Sequence, residues 1–484
     1  MYDLAVIGAG PAGVAAALAA ADQGIGVVVI DEQQRPGGQI FRRPPVEFGA
    51  TGAPSPAGYR WAGGLLAAAE THQRIQWLAG TTAFGVFPER VDGASAFSIA
   101  LAAPDGSRRI RARRLLIATG AYDLPVAFPG WTLPGVMMAG AVQGFLKSQR
   151  LLVAKRFVLA GSHPLLLVVA EQLRSAGADI AEVAFARGLP GLGEAVRAVP
   201  AVPGHVGLFA ETAASVARLV AAGVRISTRT IVTAAEGDGA LTAATLAPVD
   251  RAWRKRGTPR TVQTDALVVG YGFQPSTELA RQLDCTLRWD SPKGGWVVEH
   301  DETMATSIPG VYVAGEPTGV AGAEQSRAEG RLAGLGIAAD LASADGRTGA
   351  TASERALLDA RRGVRAARRF SRVVERMFEP NRAALLALAT PATTVCRCEV
   401  VSRRTIEDVL DSNPHFGTAS AVKLECRSGM GPCQGRYCET AVAAIVAARR
   451  HRRVDEVGRF AAHVPVKPVP LSAYAALGED PMEP

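Results

Sequence analysis

The residues with the most evident chemistry are the cysteines, and they cluster near one end of the chain. The sequence has 484 residues and six cysteines, of which five fall in the last fifth. They are Cys285, Cys396, Cys398, Cys426, Cys433 and Cys438. In a reducing compartment such clustering favours metal or redox chemistry over structural disulfides. We therefore expect a metal or redox centre in the C-terminal region.

Four of these cysteines form two close pairs. Cys396 and Cys398 are two positions apart, so in an extended segment their side chains point to the same side. Cys433 and Cys438 are five positions apart within GMGPCQGRYC, whose glycines predict a loop that brings both sulfurs together. Cys438 also falls at the start of a predicted helix, where the helix dipole favours a thiolate. The two pairs can thus converge on one centre.

Four convergent thiolates are compatible with zinc or with a [2Fe–2S] cluster. Zinc ribbons more often use cysteines separated by two residues, so the C-x-C pair leans towards the cluster. Free or disulfide-bonded thiols are the third alternative. Cys426 and Cys285 are interpreted as structural. We expect one helix to begin near Ser402, with Thr405 as a second cap residue, and another to end at about Arg450.

A glycine-rich turn at the N-terminus predicts a dinucleotide site. The segment YDLAVIGAGPAGVAAALAAADQGIGVVVIDEQ has the pattern strand, turn, helix and strand. Gly8 makes the tight turn, Gly10 lets the backbone approach a pyrophosphate, and Gly13 lets the helix pack close to the sheet. The helix N-terminus supplies N–H groups to the phosphates. Asp31, 23 residues after Gly8, is placed to accept hydrogen bonds from a ribose. A glycine turn that serves packing alone is the alternative.

Three further segments favour FAD over NAD. RPGGQI follows the acid with paired glycines, and LLIATGAYDLP is a buried strand that ends in Thr119-Gly120. IPGVYVAGEPTG is another strand, and the acid after it, Glu316, can bind hydroxyls such as those of a ribityl chain. The predicted cofactor contacts are Gly8, Gly10, Pro11, Ala12, Gly13, Asp31, Glu32, Gly37, Gly38, Gln39, Thr119, Gly120, Gly315, Glu316 and Ala323.

A second strand–turn–helix–strand segment, RFVLAGSHPLLLVVAEQLRSAGADIAEVAFA, lacks most of the same pattern. Gly161 is present, but the second and third glycine positions hold His163 and Leu166. A side chain at the second position obstructs a pyrophosphate, and the position of the ribose acid holds Ala184. Arg187 can in principle meet a 2′-phosphate. We interpret the fold as retained and the nicotinamide site as lost or altered. A different nucleotide, or NAD in an atypical pose, is the alternative.

Composition and charge exclude several classes of protein. Hydrophobic residues make up 48% and charged residues 20% of the chain, as in ordinary globular proteins. The net charge of +8 is mild at this length and does not indicate nucleic-acid binding. The N-terminus has no signal-peptide pattern, and no apolar run reaches the roughly 18 residues of a transmembrane helix. We expect a cytoplasmic protein of several domains.

The most basic stretch, ARRGVRAARRFSRVVER at 360–376, has apolar residues at helical spacing. It predicts a helix with a solvated charged face, and a docking face for a partner protein is the alternative. No histidine, tyrosine or glutamate stands out as a substrate base, so no catalytic residue is assigned.

These segments together resemble the two-dinucleotide-binding-domain flavoproteins, an α/β class in which an inserted NAD-like domain splits the FAD domain. The usual acid of that family at the late strand is Asp, whereas this chain has Glu316. The cysteine region resembles the bacterioferritin-associated-ferredoxin-like [2Fe–2S] domain, which implies Cys396, Cys398, Cys433 and Cys438 as ligands. The first half of the chain has no cysteine, so the disulfide-reductase branch of the family is not expected.

The resemblance implies a domain organisation. The expected parts are a split FAD-binding domain at 1–128 and 265–345, a degenerate NAD(P)-like domain at 129–264, a basic helical linker at 346–390, and a small helical [2Fe–2S] domain with a tail at 391–484.

The combination resembles the FAD-containing alpha subunits of heteromeric bacterial opine oxidases, proline or hydroxyproline dehydrogenases and hydrogen cyanide synthases. That likeness implies an electron-transfer subunit of an enzyme that oxidises the C–N bond of an amino acid or opine. It implies a partner beta subunit of the amino-acid-oxidase type with a second flavin, and it is compatible with a small third subunit. It also implies a quinone or respiratory electron acceptor. The expected location is the cytoplasm, peripheral to the inner membrane. The alternatives are a self-sufficient NAD(P)H-dependent flavin reductase and a scaffold that its cofactors merely stabilise.

Overall fold

A computed structural model describes residues 1–48, 59–91, 93–189, 191, 206–346 and 354–479. The chain divides into two compact units, each built from separate stretches of sequence. The first unit comprises 1–121, 274–375 and 462–484, and the second comprises 122–273 and 376–461.

The described secondary structure alternates strands and helices in the manner of an α/β protein. The strands are β1 Tyr2–Ile7, β2 Val27–Ile30, β3 Ile75–Leu78, β4 Thr82–Val91, β5 Ala94–Ala103, β6 Gly106–Ile117, β7 Ala121–Asp123, β8 Val136–Met138, β9 Arg156–Gly161, β10 Asp179–Phe185, β11 Arg225–Thr228, β12 Thr230–Glu236, β13 Ala243–Pro248, β14 Arg260–Gln263, β15 Ala266–Gly270, β16 Phe273–Pro275, β17 Leu287–Asp290, β18 Gly295–Val298, β19 Val311–Val313, β20 Thr394–Cys396 and β21 Val401–Ser402. The helices are α1 Pro11–Ala21, α2 Trp61–Thr71, α3 Ala139–Gln149, α4 Leu165–Ser175, α5 Val206–Ala221, α6 Glu278–Gln282, α7 Ala323–Ala344, α8 Glu354–Phe378, α9 Arg382–Leu386, α10 Arg403–Ser412, α11 Ala419–Cys426, α12 Glu439–Arg450, α13 Val454–Val457 and α14 Leu471–Glu479.

The first unit is built on a sheet in the order β3-β2-β1-β6-β5-β4, with β19 also paired to β6. Strands β1, β2, β3, β6 and β19 run parallel, while β4 and β5 form an antiparallel extension that pairs with β6. Leu4 and Val6 face one core and Ala5 and Ile7 the other. Successive side chains of β1 therefore serve opposite layers, as in a sheet covered on both faces.

Small residues let helices α1 and α7 lie almost in backbone contact. A Cβ atom added to Gly330 would lie 2.0 Å from the carbonyl oxygen of Ala12, and one added to Gly334 would lie 2.3 Å from that of Ala16. No side chain fits at either position. This packing explains why an alanine- and glycine-rich sequence builds a dense core here.

The second unit contains a parallel sheet in the order β11-β10-β9-β15-β8 and an antiparallel meander, β12-β13-β14. Along β9, Phe157 and Leu159 belong to one core and Val158 and Ala160 to the other. The chain thus has two Rossmann-like sheets, as predicted for a two-dinucleotide-binding-domain flavoprotein.

The C-terminal module, residues 391–461, lies in the second unit. Its core includes side chains from β20, α10, α11 and α12, among them Val395, Ile406 and Val446. Helix α10 begins at Arg403 after an N-cap at Ser402, whose hydroxyl accepts the backbone N–H of Thr405, so the predicted start is confirmed. The predicted end of α12 at Arg450 is also confirmed.

The C-x-C pair is less extended than predicted. Cys396 closes β20, but residues 397–400 form a turn, so Cys398 does not continue the strand. The two side chains therefore do not share one face of a strand, and the turn determines where Cys398 points.

The basic stretch forms most of α8, as predicted. Ala360 and Val364 are buried against the first unit's core, while Arg362 keeps a side-chain exposure of 73%. This is the pattern of a helix with one packed and one solvated face. None of the helices described here is both long enough and apolar enough to span a bilayer.

Candidate functional site

The N-terminal glycine loop leaves space at one of its three glycines. A Cβ added to Gly8 would lie 2.3 Å from the carbonyl oxygen of Ala118, and one added to Gly13 would lie 1.8 Å from that of Gly8. At Gly10 the nearest such atom is the Cα of Gly38, at 4.0 Å. Gly8 and Gly13 are thus required by packing, whereas Gly10 faces open space at the N-terminus of α1, where a pyrophosphate binds in dinucleotide folds.

The carboxylate of Asp31 fixes the same loop. Oδ2 accepts the backbone N–H of Ala9 at 2.5 Å, and Oδ1 accepts that of Gln33 at 2.7 Å. Burial raises the pKa of Asp31 despite these two donors. Its neighbour Glu32 is paired with Lys467 at 2.6 Å. Both acids lie beside the glycine turn, and each Asp31 oxygen retains a lone pair that can accept a ribose hydroxyl.

The segments predicted to complete the cofactor site converge on this loop. Gly37 donates its N–H to the carbonyl oxygen of Ala9 at 2.8 Å, and Gln39 Nε2 donates to that of Ala121 at 2.9 Å. Thr119 Oγ1 donates to the carbonyl oxygen of Ser276 at 2.8 Å. The RPGGQI and ATG segments are therefore brought together with the first turn.

A buried glutamate that sequence reasoning did not identify holds the late turn in place. Glu329 is fully buried, and its Oε2 accepts the N–H of Gly315 at 3.0 Å and the hydroxyl of Thr318 at 2.8 Å. Its Oε1 accepts Gln325 Nε2 at 2.8 Å and Arg368 Nη2 at 3.1 Å. The sequence did contain a signal for this role. Gln325 and Glu329 are four residues apart on one helix, next to the closely packed Gly330. Polar side chains on a buried helix face need hydrogen-bond partners, so this pair indicates an internal polar contact.

Glu316 lies in the turn that Glu329 braces, and the residue is half-buried. Burial raises its pKa to about 7, with the backbone N–H of Gly322 as the opposing donor. Ala323 begins α7 directly after Gly322. An acid with a raised pKa and a second helix N-terminus thus lie beside each other in the first unit. The open position at Gly10, the loop acids and this turn are a donor and acceptor set that fits FAD.

The corresponding turn of the second sheet is closed by side chains. Leu166 is fully buried, and its side chain would meet a Cβ at Gly161 at 2.9 Å. The ring of His163 lies edge-on to Phe273, with 5.0 Å between centroids, and 6.2 Å from the ring of Phe378. Side chains thus occupy the second and third glycine positions of this turn and pack against other protein groups.

The side chains of His163 and Arg187 both contact other protein groups. Burial lowers the pKa of His163 to about 4, and the N–H of Leu165 donates to its Nδ1 at 3.2 Å. The guanidinium of Arg187, the candidate for a 2′-phosphate, lies 5.2 Å from the ring centroid of Phe378. The imidazole of His163 is therefore neutral at physiological pH and serves packing.

The four predicted ligand cysteines meet as two pairs. Cys396 contacts Cys438, and Cys398 contacts Cys433. The backbone N–H of Gly429 donates to Cys396 Sγ at 3.4 Å. The contact with Cys438 lowers the pKa of Cys396 to about 6, and the same contact raises the pKa of Cys438. The preference of the helix start for a thiolate on Cys438 stays a prediction for the metal-bound state.

The glycines of the loop bring it close to the C-x-C turn. A Cβ added to Gly431 would lie 2.4 Å from the Cβ of Cys398. Gly429 and Gly435 have φ values of +83° and +88°, and the ring of Phe460 packs directly on both. Only glycine combines this backbone with such close contact. The prediction that glycines bend this loop so that its cysteines approach the C-x-C pair agrees with these contacts.

The four neighbouring thiols are a donor set that fits an iron–sulfur cluster or a zinc ion. A structural zinc requires four donors around one point. A [2Fe–2S] cluster has two irons that share four cysteines, and the same four thiols can supply those ligands. The remaining cysteines, Cys285 and Cys426, hydrogen bond to Thr306 and Val422 respectively, and all six are free thiols.

Residues 2–330 match the family of pyridine nucleotide-disulphide oxidoreductases. The chain belongs to this family. It is a FAD-dependent oxidoreductase, and the predicted fold and first cofactor are confirmed. Residues 394–448 match the BFD-like [2Fe-2S] binding domain, so the second cofactor is a [2Fe–2S] cluster rather than zinc.

Relatives of this oxidoreductase with known names resemble it over its whole length. It is 32% identical to an opine oxidase subunit of Agrobacterium tumefaciens over 98% of this chain and 92% of that one. It is 33% identical to the hydrogen cyanide synthase subunit HcnB of Pseudomonas aeruginosa, over 98% of each chain. The predicted subunit family is therefore confirmed. The fold also matches L-proline dehydrogenase from P. horikoshii, with a TM-score of 0.68, 20% identity, and coverage of 97% of this chain and 78% of that one.

Proposed function

We propose that this chain is the electron-transfer subunit of a hetero-oligomeric dehydrogenase or oxidase that oxidises the C–N bond of an amino acid or opine. The observation that carries the proposal is the closed second dinucleotide turn. His163 and Leu166 stand where glycines are needed, the ring of His163 packs against Phe273 and Phe378, and Leu166 is fully buried. A chain with FAD and a cluster but without this cradle needs another source of electrons.

The named relatives support a partner subunit as the source of the electrons. The relatives similar over the whole chain are named as subunits of larger enzymes. We propose a partner subunit of the amino-acid-oxidase type that binds the substrate and a second flavin. The assembly is compatible with a small third subunit. The sequence singles out no substrate base in this chain, in keeping with substrate oxidation elsewhere.

The residues of this chain then bind and orient the two cofactors. Gly10, Gly38 and the start of α1 would hold the pyrophosphate of FAD, while Asp31 and Glu316 would accept hydroxyl hydrogen bonds. The thiols of Cys396, Cys398, Cys433 and Cys438 would hold the cluster. FAD accepts or donates electrons in pairs or singly, and a [2Fe–2S] cluster carries one electron at a time.

The final acceptor is proposed to be a quinone or a respiratory carrier, with the assembly in the cytoplasm and peripheral to the inner membrane. The six free thiols are compatible with a reducing compartment.

The test is anaerobic reduction of the purified, cofactor-loaded chain. NADH and NADPH are each mixed with it, and flavin absorbance is followed, with dithionite as the control that both cofactors can be reduced. We expect no rapid bleaching by either nucleotide. The chain co-purified with its partner protein should bleach with an amino acid or opine from a substrate panel. Rapid bleaching by NADPH that Arg187→Ala abolishes would instead support the NAD(P)H-dependent reductase.

A further inference from the structure

One segment of the second unit anchors both cysteine-bearing parts of the C-terminal module. We call residues 122–131 the anchor segment. Trp131, buried at its end, donates from Nε1 to the carbonyl oxygen of Thr394 at 2.6 Å, two residues before Cys396. Its ring also lies 6.5 Å from that of Tyr437, which precedes Cys438. The ligand pairs are therefore held from outside the module as well as from within it.

At the other end of the anchor segment, Tyr122 holds an arginine of the ligand loop. Arg436 Nε donates to the Tyr122 hydroxyl at 3.1 Å, and its guanidinium carbon lies 5.5 Å from the ring centroid. Arg436 Nη1 donates to the carbonyl oxygen of Cys433 at 3.0 Å and to Gln434 Oε1 at 3.2 Å. Because the guanidinium is planar and rigid, these contacts fix both its position and its orientation.

This geometry places a permanent positive charge next to a cluster ligand. An arginine side chain stays protonated in proteins, and Arg436 reaches the backbone of Cys433 itself. Reduction of the cluster adds one electron, and a nearby cation stabilises the added negative charge. Charge and hydrogen bonding around an iron–sulfur cluster are among the factors that set its reduction potential.

We infer that Arg436, held by Tyr122, is a positioning residue that raises the midpoint potential of the [2Fe–2S] cluster. The inference rests on the proposed ligand set and one-electron role. The alternative is that Arg436 only stabilises the loop, in which case its removal would change stability or iron content and leave the potential unchanged.

The experiment is a redox titration of the holoprotein, with chemical mediators and detection of the reduced cluster by EPR. The central variant is Arg436→Met, and Arg436→Lys keeps the charge without the planar fork. Tyr122→Phe keeps the arginine and removes its acceptor. The matched control is Arg449→Met in the same module. Arg449 is paired with Asp411 near the far end of α12, about 16 Å along the helix from Cys438.

We expect Arg436→Met to lower the potential by at least a tenfold change in the ratio of reduced to oxidised cluster, about 59 mV for one electron. Tyr122→Phe should shift it the same way by less, Arg436→Lys should restore part of the loss, and Arg449→Met should have no effect. Iron content and melting temperature are recorded for each variant.

The inference is overturned if Arg436→Met retains its iron at the wild-type potential, or if Arg449→Met shifts the potential as far. If Arg436→Met loses its cluster while Arg436→Lys and Tyr122→Phe keep theirs at the wild-type potential, the role is structural and the inference also fails. The titration poises the cluster chemically, so its result does not depend on which partner reduces the chain. Bleaching by NAD(P)H would therefore overturn the proposed function and leave this test intact.

Discussion

The carboxylate of Glu329 accepts the backbone N–H of Gly315 through one oxygen and the guanidinium of Arg368 through the other, at 3.0 and 3.1 Å. A single fully buried acid thus joins the turn that carries Glu316 to helix α8. The same acid also has Thr318 and Gln325 as donors, so its charge is balanced by hydrogen bonds within the protein. Its partners determine how the late part of the flavin site is held.

We expect Arg368→Met to destabilise the first unit by ~2–3 kcal/mol, because it leaves a buried carboxylate without its charged donor. Glu329→Gln in the same chain should recover part of that loss, since the amide needs no counter-charge. Denaturant unfolding of the two single variants and the double variant gives the coupling energy. A coupling energy near zero would contradict this account, and Arg362→Met, at a solvated position of the same helix, is the control.

The cluster ligands can be separated from the other cysteines by single substitutions. Cys433→Ser should lower iron content and abolish the EPR signal of the reduced cluster, while FAD remains bound, because the thiolate is the ligand. Cys426→Ser should retain its iron at the wild-type level, since that thiol donates to the carbonyl oxygen of Val422. Iron and flavin assays on the purified variants check both. Equal iron loss in the two variants would be evidence against the proposed ligand set.

The three glycines of the first turn should respond differently to alanine. Gly10→Ala adds a methyl group in open space where a pyrophosphate is expected, so FAD occupancy should fall while the FAD-free chain keeps its melting temperature. Gly13→Ala should prevent folding, since its Cβ would lie 1.8 Å from a carbonyl oxygen. Gly63→Ala, with no atom near its Cβ within helix α2, should stabilise by about 0.5–1 kcal/mol. Full FAD occupancy in Gly10→Ala would argue against this site.

Stability should depend on pH through Glu316. Its pKa rises from 4.5 to about 7 on burial, so between these values the folded chain binds a proton that the unfolded chain has lost. Stability from this group is therefore complete below pH 4.5, falls as the pH rises, and is lost above about pH 7, a change of up to ~3 kcal/mol. Glu316→Gln should remove that slope. Urea unfolding of the FAD-free chain at about pH 5 and about pH 8 measures it, and equal slopes for wild type and variant would disprove the assignment.

Most of the features that could be predicted from the sequence belong to short local motifs. The spacing of Gly8, Gly10 and Gly13 predicted both a strand–turn–helix and the one position left open, because each glycine serves a local steric need. The positions of Cys396 and Cys433 likewise predicted a thiol-rich centre. Motifs of this kind can be read from sequence because their geometry is confined to a few consecutive residues.

The relationships between distant segments could not be predicted in the same way. The contact of Cys396 with Cys438 joins residues that are far apart in the sequence, and a turn at 397–400 replaces the extended segment that was expected at Cys398. The contact of Arg436 with Tyr122 joins residues 314 positions apart, and the two segments that contain them do not indicate that these side chains meet. In the sequence Glu329 is one of several charged residues on a helix, and only its contacts in the folded chain distinguish it. Such contacts are determined by tertiary packing, so they cannot be predicted from one sequence by local motifs.

The bond from Trp131 to Thr394 spans 263 residues, and the buried Leu477 packs with Phe84, which lies in the first fifth of the sequence. Each compact unit therefore includes chain from its early and its late parts. During synthesis neither unit can be completed until its late segments have left the ribosome. Apolar strands translated first must wait for their partners, a situation that slows folding and invites association with chaperones. Cofactor loading should then be a late, post-translational event, and expression at low temperature should raise the yield of the complete holoprotein.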